Sequence, residues 1–136
     1  MNLQEKLLAK ESGTYKYVIV SNEGNYLIGL GSINEHHFGI GKELCEKERI
    51  TADKKNGAFA GGILDWNRKT RHAIYYRGSS YGPNRDEDIE LMKETRLAIQ
   101  MVMSTLEGIT YEVPLTDCPT EQVPSKNFRD FSPFIA

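Results

Sequence analysis

The chain has 136 residues, 39% apolar and 26% charged, a balance that is expected to fold as one domain over 1–136 and that excludes a disordered chain. A formal net charge of −2 and a pI near 5.9 supply no overall attraction to nucleic acid or to an anionic membrane, so any phosphate binding has to be local. The longest apolar stretches, around YVIV and MVM, are too short to span a bilayer, and MNLQEKLLAKESG lacks the apolar core of a signal peptide, so a soluble, cytoplasmic protein is expected.

In chain order, Leu3, Leu7 and Leu8 fall among Gln, Glu and Lys, the spacing of a short amphipathic helix over residues 2–11 that would serve as a lid or an oligomer contact. TYKYVIVSNEGNYLIGLGSI then reads as two runs of β-branched and aromatic residues around the turn-forming NEGN, a hairpin. In EHHFGIGKELCEKERI two glycines precede the helical spacing of Ile40, Leu44 and Cys45, which predicts a turn and then a helix from about Gly41. ADKKNG is a polar loop, and AFAGGILDW and RHAIYYR bracket NRKT as a second hairpin.

From Asp86 the period changes. DEDIELMKETRLAIQMVMSTLEG places Ile89, Met92, Leu97, Ile99, Met103 and Leu106 at helical spacing behind three leading acids, which predicts one long helix near 86–107. ITYEV follows as a last strand. Pro114, Pro119, Pro124 and Pro133 then break up a tail over 114–136 whose Phe128, Phe131, Phe134 and Ile135 are too apolar to stand in water, so it should pack on the body or on a neighbouring subunit of a homo-oligomer. The order β-β-α-β-β-α-β predicts a mixed α+β or α/β fold, a single sheet of five to six strands with helices packed on it.

Three local features bear on chemistry. The loop RGSSYGP offers Gly78 and Gly82 for close backbone approach and the hydroxyls of Ser79 and Ser80, a combination able to cradle a phosphate, with Tyr81 beside it. It is not the GxxxxGK[ST] loop, and taken alone it reads as an ordinary turn before a helix. Arg77 and Arg85 bracket it and are the natural bidentate phosphate ligands. His36 and His37 sit beside Gly39 and Gly41, and either imidazole is suited to act as base or nucleophile near neutral pH, although a hydrogen-bonded structural histidine is the commoner case. Lys16 interrupts YKYVIV, where alternation turns it to the face opposite Tyr15 and Tyr17, and a solvated strand lysine is the ordinary explanation. Neither HxH, HxxxH nor HExxH spacing occurs, and Cys45 and Cys118 are far apart with no CxxC, so no metal or other cofactor and no disulfide is expected, only buried thiols.

Taken together, YKYVIV, NEHHFGIG, AGGILDW, HAIYYRGSSYGP and ITYEV resemble, over residues 14–113, the phosphohistidine phosphatase family that includes the janus and ocnus proteins. The resemblance implies a sheet between helices and metal-free hydrolysis of a phosphoramidate on a protein or small molecule. It implies that His37 is the active histidine, Lys16 the phosphate-contacting lysine, and Gly78, Ser79 and Ser80 the anion-binding loop. The chain departs from the family where a loop serine is replaced by Gly78 and a strand arginine by Ile63, and the helix after the loop is longer. Two other readings follow from the same residues. One is a non-catalytic oligomeric sponge for a phosphate-containing nucleotide signal, such as a virus would encode, holding its ligand with Arg77, Arg85, the loop and stacking tyrosines. The other is a structural or interaction protein.

Overall fold

In a computed structural model of the chain, the described residues are 2–22, 24–49, 58–78 and 89–119. They form one five-stranded mixed sheet with three helices packed on it, an α+β arrangement: α1 (Leu3–Ala9), β1 (Gly13–Asn22), β2 (Asn25–Ser32), α2 (His37–Glu48), β3 (Ala58–Asn67), β4 (His72–Arg77), α3 (Ile89–Met103) and β5 (Thr110–Glu112). The strand order is β2-β1-β3-β4-β5. Only β4 and β5 run parallel, as the helical crossover through α3 requires, while tight turns join the antiparallel neighbours β1–β2 and β3–β4.

The β1–β2 hairpin closes with Asn22 opposite Asn25, and Gly24 takes φ +85°, a conformation that favours glycine. At the β3–β4 turn the Asn67 carboxamide oxygen accepts from the backbone N–H groups of Lys69 at 3.0 Å and Thr70 at 3.1 Å. Because side chains alternate along a strand and pair across the sheet, the register sorts them into two faces. On one, Tyr17, Ile19, Ile28, Leu64, Trp66 and Tyr75 form the main core with Leu7 of α1 and Ala98, Ile99 and Met103 of α3. On the other, Val18 and Val20 pack against Ile40, Leu44 and Cys45 of α2.

Three expectations are corrected. The first helix is an integral wall of the core, since Leu7 is fully buried and a capping box between Asn2 and Glu5 sets its start. The second helix begins at His37, a turn earlier than Gly41. Two glycines cost about 1 kcal/mol each in a helix interior, and burial of Ile40 and Leu44 against β1 outweighs that cost. The long helix is described only over Ile89–Met103, and its last turn tightens through bonds from Thr105 N to Val102 O at 3.2 Å and from Leu106 N to Met103 O at 3.0 Å, so residues 104–107 do not extend it. Residues 86–88 and the tail from 120 lie outside the described residues. Both cysteines are buried and outside any disulfide, and none of the described helices is long and apolar enough to cross a membrane.

Candidate functional site

Lys16 is on the α2 face of β1, in the same row as Gly31 of β2 and Ile63 of β3. It is 5% exposed, so it is not the solvated lysine that strand alternation alone suggests. An ammonium held out of water needs acceptors, and the Lys16 Nζ donates to the Glu35 carbonyl oxygen at 2.6 Å. Glu35 lies in the short connection between β2 and α2, which brings this carbonyl over the sheet. Glycine makes the approach feasible: a Cβ on Gly31 would run into the side chains of Glu35 and Ile40.

The two histidines of the HH pair are separated by their positions at the start of α2. His36 is the exposed N-cap residue and makes no side-chain capping bond, whereas His37 opens the helix with its ring turned inward. The His37 Nε2 lies 3.0 Å from the Gly62 carbonyl oxygen in the middle of β3. A carbonyl only accepts, so Nε2 carries the proton and the neutral ring has its lone pair on Nδ1. Burial lowers the His37 pKa most; the Gly62 carbonyl pulls the other way, and the charges of Lys16 and His36 lower it further, for a net value of about 4. The imidazole is therefore uncharged throughout the neutral range.

Gly62 is the residue on which the site closes. A Cβ there would overlap the Tyr76 carbonyl oxygen and stand 2.9 Å from the Gly78 nitrogen and from the Tyr17 hydroxyl. That hydroxyl donates to the Tyr76 carbonyl oxygen at 2.9 Å, and burial raises the Tyr17 pKa, so it stays a protonated donor. The strand carrying His37's acceptor is thus packed directly against the first residue of the glycine-serine loop. Of that loop only Gly78, which is buried, belongs to the described residues; Ser79, Ser80, Tyr81 and Arg85 lie outside them.

The structure brings Lys16, His37 and Gly78 around β3, and it places Arg77 elsewhere. Arg77 pairs in register with Gly62 and through it with Tyr17, on the face opposite Lys16. Its Nε donates to Asp117 Oδ1 at 3.0 Å, and its backbone N–H donates to Thr116 O at 3.0 Å, so it fastens the chain leaving β5 to the end of β4.

Beside the first turn of α2 opens a groove of about 510 Å³, lined by Glu35, His36, His37, Phe38, Gly39, Ile40 and Glu43. Its rim carries two carboxylates and the half-exposed Phe38 ring. Ile63 is buried and forms an apolar wall next to Lys16. Gly62, Gly31 and Tyr17 are the site residues that the sequence reading did not single out. A glycine inside an apolar strand is the signal that marks Gly62. Among the described residues no three His, Cys, Asp or Glu side chains cluster as a metal site. In comparisons with protein-family models and with curated proteins, neither gives a match to the chain.

Proposed function

We propose that the protein hydrolyses a phosphoramidate, the P–N bond of a phosphorylated side chain or small molecule, with His37 as the reacting group. The observation that supports this reading most is the wiring of His37: a buried imidazole whose Nε2–H is held by a backbone carbonyl and whose lone pair is therefore on Nδ1. A pKa of about 4 keeps the ring unprotonated at neutral pH, so its lone pair is not lost to a proton there. In the first step Nδ1 forms a bond to phosphorus as the substrate's P–N bond breaks, and the leaving nitrogen takes a proton from water. In the second step water attacks phosphorus, the bond to Nδ1 breaks, and inorganic phosphate leaves with His37 neutral again. The Gly62 carbonyl accepts from Nε2–H throughout and stabilises the ring while it carries the phosphoryl group.

Lys16, two strand positions from Val18 and near enough for its charge to lower the His37 pKa, supplies positive charge where the phosphoryl oxygens would gather. The carboxylates of Glu35 and Glu43 at the groove rim suit a leaving group that becomes a cationic amine. The test is phosphate release from phosphohistidine and from phosphoramidate by the wild type, His37→Ala and Lys16→Met. Release by the wild type that vanishes in His37→Ala supports the reading. Tight retention of phosphate compounds by all three with no release would replace it with the non-catalytic binder.

A further inference from the structure

The face of the sheet that carries Lys16 continues past it into a second groove. The apolar side of α2 packs on the end of that face with Val18 and Val20. In the other direction along the strands the next row is Thr14, Asp65, Ile74 and Glu112. Beside it opens a groove of about 660 Å³, lined among others by Ser12, Asp65, Asn67, Thr70, His72 and Ile74.

Asp65 is the residue of this row that the fold does not account for. Aspartate is disfavoured in strands, and β3 is the central strand of the sheet. The residue is partly buried, which costs its carboxylate hydration, yet among the described residues nothing donates a hydrogen bond to it or pairs with it. The charges around it are engaged elsewhere: Glu112 is held by His72 at 2.7 Å, Arg68 pairs with Glu11 at 3.0 Å, and the Lys16 ammonium donates to the Glu35 carbonyl. The carboxylate acts on this side of the sheet, since after burial and Cys118 it is among the groups that raise the pKa of the Tyr76 phenol. What the groove offers suits a guanidinium. The Asp65 carboxylate can accept two of its N–H donors side by side, the Ser12 and Thr70 hydroxyls have lone pairs for others, and Ile74 gives its stem an apolar surface. An anion would be repelled by Asp65 and Glu112, and a neutral ligand would leave the Asp65 charge uncompensated.

Spacing ties this groove to the first. Asp65 stands two residues along β3 from Ile63, which is in register with Lys16, so about 7 Å separate the two positions. Side chains two residues apart in an extended peptide lie on one side at the same distance. We infer that Asp65 is a subsite for a guanidinium of the substrate, which carries an arginine two residues from its phosphorylated residue in an extended chain. The inference depends on the role of His37 proposed above for the phosphoryl group and on Asp65 for the cation.

The test gives the wild type and Asp65→Asn phosphohistidine peptides with arginine, or its neutral isostere citrulline, at the second residue on both sides of the phosphorylated one. The wild type should release phosphate from the arginine peptide with kcat/KM about fivefold above the citrulline peptide, and Asp65→Asn should show no such preference. Moving the arginine to the adjacent residue, which faces the other way, should remove the preference as well. Equal rates for the two peptides in the wild type, or a preference that survives in Asp65→Asn, overturn the assignment of Asp65. Phosphoramidate has no side chain to reach Asp65, so no release by the wild type from it or from the peptides means instead that His37 is not a phosphoryl acceptor. Binding then decides on the subsite: Nα-acetylarginine amide should shift the backbone amide NMR signals of Asp65 and Ile74 in the wild type, and the citrulline compound should not. Identical shifts from the two compounds, or none from either, overturn it.

Discussion

The two faces of the sheet are built on different terms. The α1 and α3 face is filled with large apolar side chains, Trp66, Tyr17, Tyr75, Leu64 and Met103, and the main core lies there. The α2 face has a smaller apolar cluster and next to it Lys16 and His37, two of the buried polar residues among those described. The third, Thr95, lies on α3 and satisfies its hydroxyl within its own helix, on the Leu91 carbonyl at 2.7 Å. Lys16 and His37 instead rely on carbonyls from other segments, those of Glu35 and Gly62. A polar group satisfied within its own helix leaves packing unchanged, whereas two cationic-type side chains tied across elements cost desolvation, the signature of a site more than of a core.

The sharpest way to break this contrast is at Gly62, where the two faces meet. Gly62→Ala puts a methyl into the Tyr76 carbonyl and against the Tyr17 hydroxyl, backbone and anchored neighbours that have little room to yield. We expect a loss of about 3 kcal/mol or more in urea unfolding, together with displacement of Gly78. Gly31→Ala meets only side chains, those of Glu35 and Ile40, and should cost about 1 to 2 kcal/mol by the same measurement.

The next effect is in pH. The folded state holds His37 at about 4, below the ordinary value of 6.5, so protonation favours the unfolded chain. The stability is therefore fully present above pH 6.5 and is lost as pH falls from 6.5 towards 4. The shift corresponds to about 3 kcal/mol. Unfolding free energies at pH 7 and pH 4.5 should differ by an amount that shrinks by about 2 kcal/mol in His37→Gln; an equal dependence in both proteins would show that His37 is not buried as an imidazole.

How far the sequence foresaw this contrast depends on which force decides each element. The strands were legible because YKYVIV, AFAGGILDW and HAIYYR are dense in β-branched and aromatic residues, and NEGN and NRKT have turn chemistry of their own. The α2 start was not legible, because Gly39 and Gly41 argue locally against helix and only the β1 contact argues for it. Lys16 was placed on the correct face by alternation, but its burial depends on where Glu35 arrives from another segment. The face that Arg77 takes was not legible for the converse reason. Adjacent to the loop in sequence, it takes the other face by its register with Gly62, and register is set by the whole hairpin.

Lys16 gives the third test. Lys16→Met keeps the length and apolar stem but removes the donor to Glu35. Replacing a buried charge by a hydrophobe of similar size is often neutral, so stability should change by no more than about 1 kcal/mol. The His37 pKa should rise, because the Lys16 charge that lowers it is gone, and histidine titration by NMR reads that rise directly. A large stability loss with no movement of the His37 titration would make Lys16 a packing residue and erase the difference between the faces.

The smallest effect belongs to a polar pairing that the contrast classes as structural. His72 of β4 shares the α2 side of the sheet with Lys16, yet its ring bonds to Thr110 Oγ1 at 2.6 Å and to Glu112 Oε2 at 2.7 Å, both on β5. β5 has only three residues, so these side-chain bonds are a substantial part of what holds it beside β4. The pair is partly exposed, with the Glu112 side chain 61% open to water, and such ion pairs contribute at most about 1 kcal/mol. His72→Ala should therefore lower global stability by less than that, while amide exchange at Thr110 and Glu112 speeds up and exchange in β1 stays unchanged. Phosphate release should be unaffected. If His72→Ala abolished release as His37→Ala is expected to, the reacting centre would lie at the β4–β5 end of the sheet and the division between the faces would have to be redrawn.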